Sequence, residues 1–125
     1  MRPWGKLIRL GNTIVSFVGT IVGGLAAHGH LANGLRMGTW VILVLAAFST
    51  ACVTAGGNVL NDTLDREADR INHPDRPLVT GAIQVSHAKA LIVILFATSI
   101  VLILPIVASA WLLALILAVA WGALL

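Results

Sequence analysis

Residues 40–69 read WVILVLAAFSTACVTAGGNVLNDTLDREAD. From Trp40 to Leu60 no side chain is charged, and a helix of about 20 such residues crosses the hydrocarbon of a bilayer. From Asn61 to Asp69 the same run becomes acidic and amide-rich. The stretch reads as one membrane helix whose end emerges into water as a polar helix to about Asp69.

The rest of the 125 residues agrees with a membrane solvent: 58% are hydrophobic and 10% charged, whereas a soluble domain carries about 25% charged residues. Mean hydropathy is +0.97. Further apolar spans are expected at Leu10–Ala27, from about Ala88 to Leu104 before Pro105, and from Ala108 to Leu125. The expected fold is all-α, a multi-span transmembrane bundle with four helices in one membrane domain, residues 1–125. Basic residues before the first apolar core also suit a signal peptide, but three more spans follow and no A-x-A site is evident. The single cysteine, Cys52, can form no internal disulfide.

Lys and Arg set the orientation. Arg2, Lys6 and Arg9 precede the first span, and Arg66, Arg70, Arg76 and Lys89 lie between the second and third. Only Arg36 lies between the first and second, and none between the third and fourth. The positive-inside rule therefore places the N-terminus and the 66–89 connection in the cytoplasm. The net charge of +3 is gathered at span ends and forms no nucleic-acid patch. Trp4, Trp40 and Trp111 lie where interface anchors do. Gly19 and Gly23 form a GxxxG that suits close helix packing. His28 and His30 are too few for a metal site and suit a solvated outer turn.

The chemistry gathers on one helix face. With Asn61 at zero, an ideal helix places Thr54 at about 20°, Asp65 at 40°, Asn58 at 60°, Asp69 at 80° and Asp62 at 100°. Acids spaced i,i+3 and i,i+4 repel each other, and amides inside a span are costly, so a cation is expected to face this stripe. Carboxylate and amide oxygens without Cys suit Mg²⁺, which fills its shell with water and phosphate. A solvated helix end with internal pairs, Asp62–Arg66 and Glu67–Arg70, also accounts for the charges. It does not account for their sharing a face with Thr54 and Asn58.

The stretch NDTLDREADRINHPDRPLVTGAI, residues 61–83, resembles the first signature of the UbiA-type membrane prenyltransferase superfamily. That signature is an N-D-x-x-D-x-x-x-D helix followed by R-P-L-x-x-G. Asn61, Asp62, Asp65 and Asp69 match the helix; Arg76, Pro77, Leu78 and Gly81 match the loop. Arg9 and Asn12 resemble more loosely the polar start of the family's first helix. The resemblance covers the whole chain and implies the N-terminal half of a fold with about nine helices. It implies transfer of a prenyl group from a prenyl diphosphate to a lipid or aromatic acceptor, with Asn61, Asp62, Asp65 and Asp69 as Mg²⁺ ligands. Asp65 and Asp69 become the catalytic pair, and Asn58, Arg66, Arg70, Arg76 and Arg9 the candidate phosphate partners. The wording is most similar to the ether-lipid branch, which adds a geranylgeranyl group to geranylgeranylglyceryl phosphate. Quinone, haem and chlorophyll branches share the signature.

A non-catalytic four-helix membrane subunit or a small exporter remains the rival by size. The apolar spans other than the second hold no ionisable residue of the kind proton-coupled exporters use, apart from His28 and Lys89 at or beyond their ends. The family's second Asp-rich signature is missing from these 125 residues, so a truncated chain, inactive alone, is expected. Single cysteines at Asn72 or Gln84 in a Cys52→Ala background should react with an impermeant thiol reagent only from the cytoplasmic face; labelling from outside would reverse the orientation.

Overall fold

The computed structural model describes residues 3–29, 37–107, 118–119 and 121–122, and within them the chain is helical with no strand. The elements are α1 (Pro3–Leu7), α2 (Leu10–Gly29), α3 (Met37–Leu64), α4 (Arg66–Asn72) and α5 (Val85–Val107). Three stretches are long and apolar enough to cross a membrane: Leu10–Ala27, Gly38–Leu64 and Val85–Ile106. They are the first three expected spans. The fourth, Ala108–Leu125, falls mainly outside the described residues, as do Arg2, Arg36, Trp111 and the side chains of His28 and His30. Trp121 is described, and its ring meets Phe96 of α5 edge-on at 4.5 Å.

Helix α3 is central. It packs along both α2 and α5, which do not approach each other among the described residues. Its 28 residues make about 42 Å of helix, against about 30 Å of hydrocarbon. The excess of roughly two turns is long enough for Asn61 and Asp62 to stand beyond such a layer. Inside that layer, polar side chains must find partners within the protein. The Thr54 hydroxyl donates to Ser16 Oγ on α2 at 2.8 Å. The Ser49 hydroxyl donates to the Ser99 carbonyl on α5 at 3.0 Å. Phe17 and Phe48 add an edge-on ring contact between α2 and α3, with centroids 4.9 Å apart.

The glycines that permit close approach are not the expected pair. A Cβ at Gly19 or Gly23 would meet nothing within 4 Å, whereas one at Gly24 would run into Leu43 of α3. A Cβ at Gly56 would stand 3.0 Å from the Phe96 ring of α5. The GxxxG spacing marks the right turn of α2, but the face turned to α3 is one residue further on.

Two breaks shape the end of the bundle where α3 turns acidic. Between α1 and α2, Arg9 adopts φ 49°, a left-handed conformation that costs an ordinary residue about 1–2 kcal/mol. The Ile8 carbonyl there accepts from the Thr13 hydroxyl at 2.9 Å and the Asn58 amide at 3.1 Å. The second break corrects the expectation of one helix continuing to Asp69. At Asp65, φ −83° and ψ 5° leave the helical basin for the bridge region, so α3 ends at Leu64 and α4 begins at Arg66. Hydrogen bonds from Asp65 N–H to the Asn61 carbonyl and from Asp69 N–H to the Asp65 carbonyl, both 2.8 Å, persist across it. The helix bends without stopping.

The segment after α4 is fixed by plugs. Leu78 and Ile83 enter a small core with Leu7, Val59 and Ala88, so the loop seals the junction of α1, α3 and α5. Its turn closes through Ile83 N–H to the Pro77 carbonyl at 3.1 Å. Gly81 at φ 75° occupies the left-handed region that glycine enters without steric cost. Replacing Gly24 by Ile should destabilise the chain in detergent by about 1–3 kcal/mol, the usual cost of overpacking. Gly23→Ile should change it far less, and equal losses in a micellar unfolding titration would remove the close approach of α2 and α3.

Candidate active site

Four charged side chains meet where the α1–α2 break, the end of α3, α4 and the loop converge. Asp62 and Asp69 are each 4% exposed. Asp62 Oδ1 accepts from Arg9 Nη2 at 2.9 Å and from Arg76 Nη1 at 3.0 Å. Arg76 Nη1 also donates to Asp69 Oδ2. Asp62 and Asp69 are seven residues apart, nearly two full turns, which places them on one side of an ideal helix. One guanidinium therefore reaches both. Two cations and two anions balance formally, which is the condition for keeping carboxylates out of water.

The polar stripe divides along its length. Thr54, Asn58 and Asp62 turn toward the amino-terminal helices, meeting Ser16, the Ile8 carbonyl and Arg9 in succession. Asn61 and Asp65 are exposed, and neither side chain has a hydrogen-bond or ion-pair partner among the described residues. The chain has five acids. Asp62 and Asp69 face arginines, Glu67 pairs with Arg70 at 2.9 Å, and Asp75 with Lys6 at 3.5 Å. Asp65 alone has no cationic partner among the described residues.

The expected ligands and phosphate partners thus separate. Asn61, Asp62, Asp65 and Asp69 are not gathered into one cluster; among the described residues no three His, Cys, Asp or Glu side chains stand together as a metal cage. Asn58 binds backbone, and Arg9 and Arg76 hold acids. Arg70 sits in an exposed i,i+3 pair. Arg66 has no carboxylate partner among the described residues; its Nε donates to the Leu78 carbonyl at 3.2 Å. The wall facing Asp62 comes from the α1–α2 break, through Arg9, and from the loop, through Arg76. The Lys6–Asp75 pair, which ties α1 to the loop, carries no signal at the sequence level, since its members are 69 positions apart.

Below Ile8 a groove of about 480 Å³ opens over α3, within the 300–1,000 Å³ range of small-molecule sites. Trp4, Phe48, Cys52, Leu91 and Leu95 are among its walls. It is apolar, and its head lies beside the break that aims Arg9 at Asp62.

Removing Arg76 would leave Asp69 buried without its cation. Arg76→Ala should therefore cost about 3 kcal/mol of stability, and Arg70→Ala, on the surface, less than about 1 kcal/mol. Thermal unfolding in detergent would show the difference, and equal shifts would mean that the buried pairings are not formed.

The profile of the UbiA prenyltransferase family matches residues 16–125. Among curated proteins, the digeranylgeranylglyceryl phosphate synthase of Metallosphaera sedula is 40% identical over 91 residues, covering 73% of this chain and 30% of the relative. The protein of that name from Sulfurisphaera tokodaii is 33% identical over 102 residues, covering 82% and 34%. That from Halobacterium salinarum is 38% identical over 110 residues, covering 82% and 36%. The chain spans about a third of the length of these curated relatives. No solved structure matches. With its membrane-spanning helices and the acidic end of α3, the chain belongs to the UbiA prenyltransferase family.

Proposed function

We propose that this chain supplies the diphosphate-activating part of a membrane enzyme that transfers a prenyl group from a prenyl diphosphate to a lipid acceptor. The observation that carries the reading is Asp65: exposed at the emerging end of a spanning helix, one turn from Asn61, and without a cation among the described residues. Two oxygen donors with open space before them suit Mg²⁺, which keeps several waters and takes phosphate oxygens for the rest. When bound, the ion would offset the negative charge that builds on the departing diphosphate.

The chain's own residues do the remainder. Asn61 and Asp65 would hold the ion, and Arg66, adjacent to Asp65 and without a carboxylate partner among the described residues, donates to phosphate oxygens. Asp69, bound to Arg76, keeps α4 and the loop in register beside them. Arg9 and Arg76 form a positive flank whose charge is matched by Asp62 and Asp69. The groove of about 480 Å³ receives apolar prenyl chain and excludes water from the cationic carbon. The allylic C–O bond to diphosphate breaks with its electron pair leaving on the diphosphate, the acceptor hydroxyl oxygen bonds to that carbon, and the hydroxyl proton passes to the released diphosphate.

The names of the relatives favour geranylgeranylglyceryl phosphate as acceptor and geranylgeranyl as the group transferred. The distribution of Lys and Arg favours a site on the cytoplasmic side. The matched stretch is about a third of the relatives' length, which supports reading residues 1–125 as the amino-terminal part of a larger catalytic unit.

In the full-length enzyme, Asp65→Ala and Asp69→Ala should each lower prenyl transfer by well over tenfold, about 1.4 kcal/mol or more at the transition state. Thr63, whose hydroxyl bonds its own helix at the Val59 carbonyl, is the control, and Thr63→Ala should be mild. Release of diphosphate from geranylgeranyl diphosphate, with and without geranylgeranylglyceryl phosphate, is the assay. Equal activities in all three variants would sink the proposal.

A further inference from the structure

We infer that Asp62, although it lies within the acidic motif, is a positioning residue that binds neither metal nor substrate: it fixes Arg66 through the loop. The inference rests on the reading of Asp65 and Arg66 as the groups that meet the metal-bound diphosphate. Asp62 is 4% exposed, and its Oδ1 already accepts from two arginines drawn from distant parts of the chain. Asp65, by contrast, is exposed and has no cation among the described residues, so the ion reaches it without displacing a partner.

The path from Asp62 to Arg66 is continuous. Asp62 holds the Arg76 guanidinium at 3.0 Å. The Arg76 backbone is the hub of the following turn, its carbonyl accepting from the N–H groups of Val79 and Thr80, each at 3.0 Å. Leu78, between them in the chain and 1% exposed, is locked into the small core. Its carbonyl accepts from Arg66 Nε at 3.2 Å. Arg66 is thus held at its Nε, with its terminal nitrogens left to meet an anion. On its other side Asp62 takes Arg9 at 2.9 Å, and Lys6, in the helix before Arg9, reaches Asp75 in the loop at 3.5 Å. Asp62 is therefore the point through which α1 and the loop are held to α3 together.

Two readouts separate positioning from metal binding. The first needs no activity: cysteines at Lys6 and Asp75, in a Cys52→Ala background, should be bridged by a short bismaleimide. The second is steady-state kinetics of the full-length enzyme against prenyl diphosphate and against Mg²⁺. Asp62→Asn should at least halve the bridging yield and raise KM for prenyl diphosphate about fivefold, with half-saturating Mg²⁺ changed less than about twofold. Arg76→Lys, which keeps the charge but not the fork, should reproduce the pattern if Asp62→Asn fails to fold. Asp65→Asn should do the reverse, raising the Mg²⁺ requirement while leaving the bridge intact. Full bridging in both Asp62→Asn and Arg76→Lys overturns the inference, as does an Asp62→Asn enzyme whose Mg²⁺ requirement rises with that of Asp65→Asn. Should the protein transfer no prenyl group, the bridging yield alone decides whether Asp62 holds the loop, and the functional reading fails separately.

Discussion

A carboxylate buried at the end of an apolar helix must be met by cations, and at Asp62 the chain meets that demand with Arg9 and Arg76. The surrounding geometry follows from this pairing. Arg9 reaches Asp62 from a left-handed break, which ends α1 and starts α2. The carbonyl exposed at that break is taken up by Asn58, one turn below Asp62 on α3. Arg76 brings the loop across, and the loop inserts Leu78 and Ile83 beside Leu7 and Val59. Burial of these side chains, about 1.5–3 kcal/mol for each large one, holds the arginine against the acids. The ionic and apolar contacts each place the other.

The spans were legible because the bilayer imposes a length and an absence of charge, and both are visible in one dimension. Trp40–Leu60 could be read at once. The bend at Asp65 was not: neither glycine nor proline marks it, and the helical hydrogen bonds continue on both sides. The polar stripe was legible as a stripe, but its division was not. A helical wheel assigns angles to Asn61 and Asp62 without saying which neighbour occupies each direction. That neighbour is the α1–α2 break, 53 positions away from Asp62 in sequence, and only tertiary structure brings it there. The glycines show the same limit. Spacing located the turn of α2 that packs closely, while the choice of Gly24 over Gly23 depends on the direction from which α3 approaches.

The division also resolves an electrostatic difficulty. Four unpaired oxygen ligands on one helix end would place three carboxylates within a few ångströms. At an effective dielectric of about 20, two such charges 6 Å apart repel by roughly 3 kcal/mol. Pairing Asp62 and Asp69 with Arg9 and Arg76 removes most of that repulsion before any ion arrives. Asp65 is then one exposed carboxylate without a cation among the described residues, beside a frame whose charges balance.

In the proposed function that frame would bear on the diphosphate as well. Arginines with no acids nearby would attract any phosphate at the membrane surface, with or without a metal. Here Arg9 and Arg76 are already engaged, Arg70 is shared with Glu67, and Lys6 with Asp75. Arg66 and the bare Asp65 are left adjacent in the chain, a cation and an anion side by side. Free phosphate brought to Arg66 would meet repulsion from Asp65, and a metal held at Asp65 reverses that sign. In the proposed function, selectivity for a metal-bound diphosphate would follow from this pairing, which leaves Asp65 as the acid without a cation among the described residues.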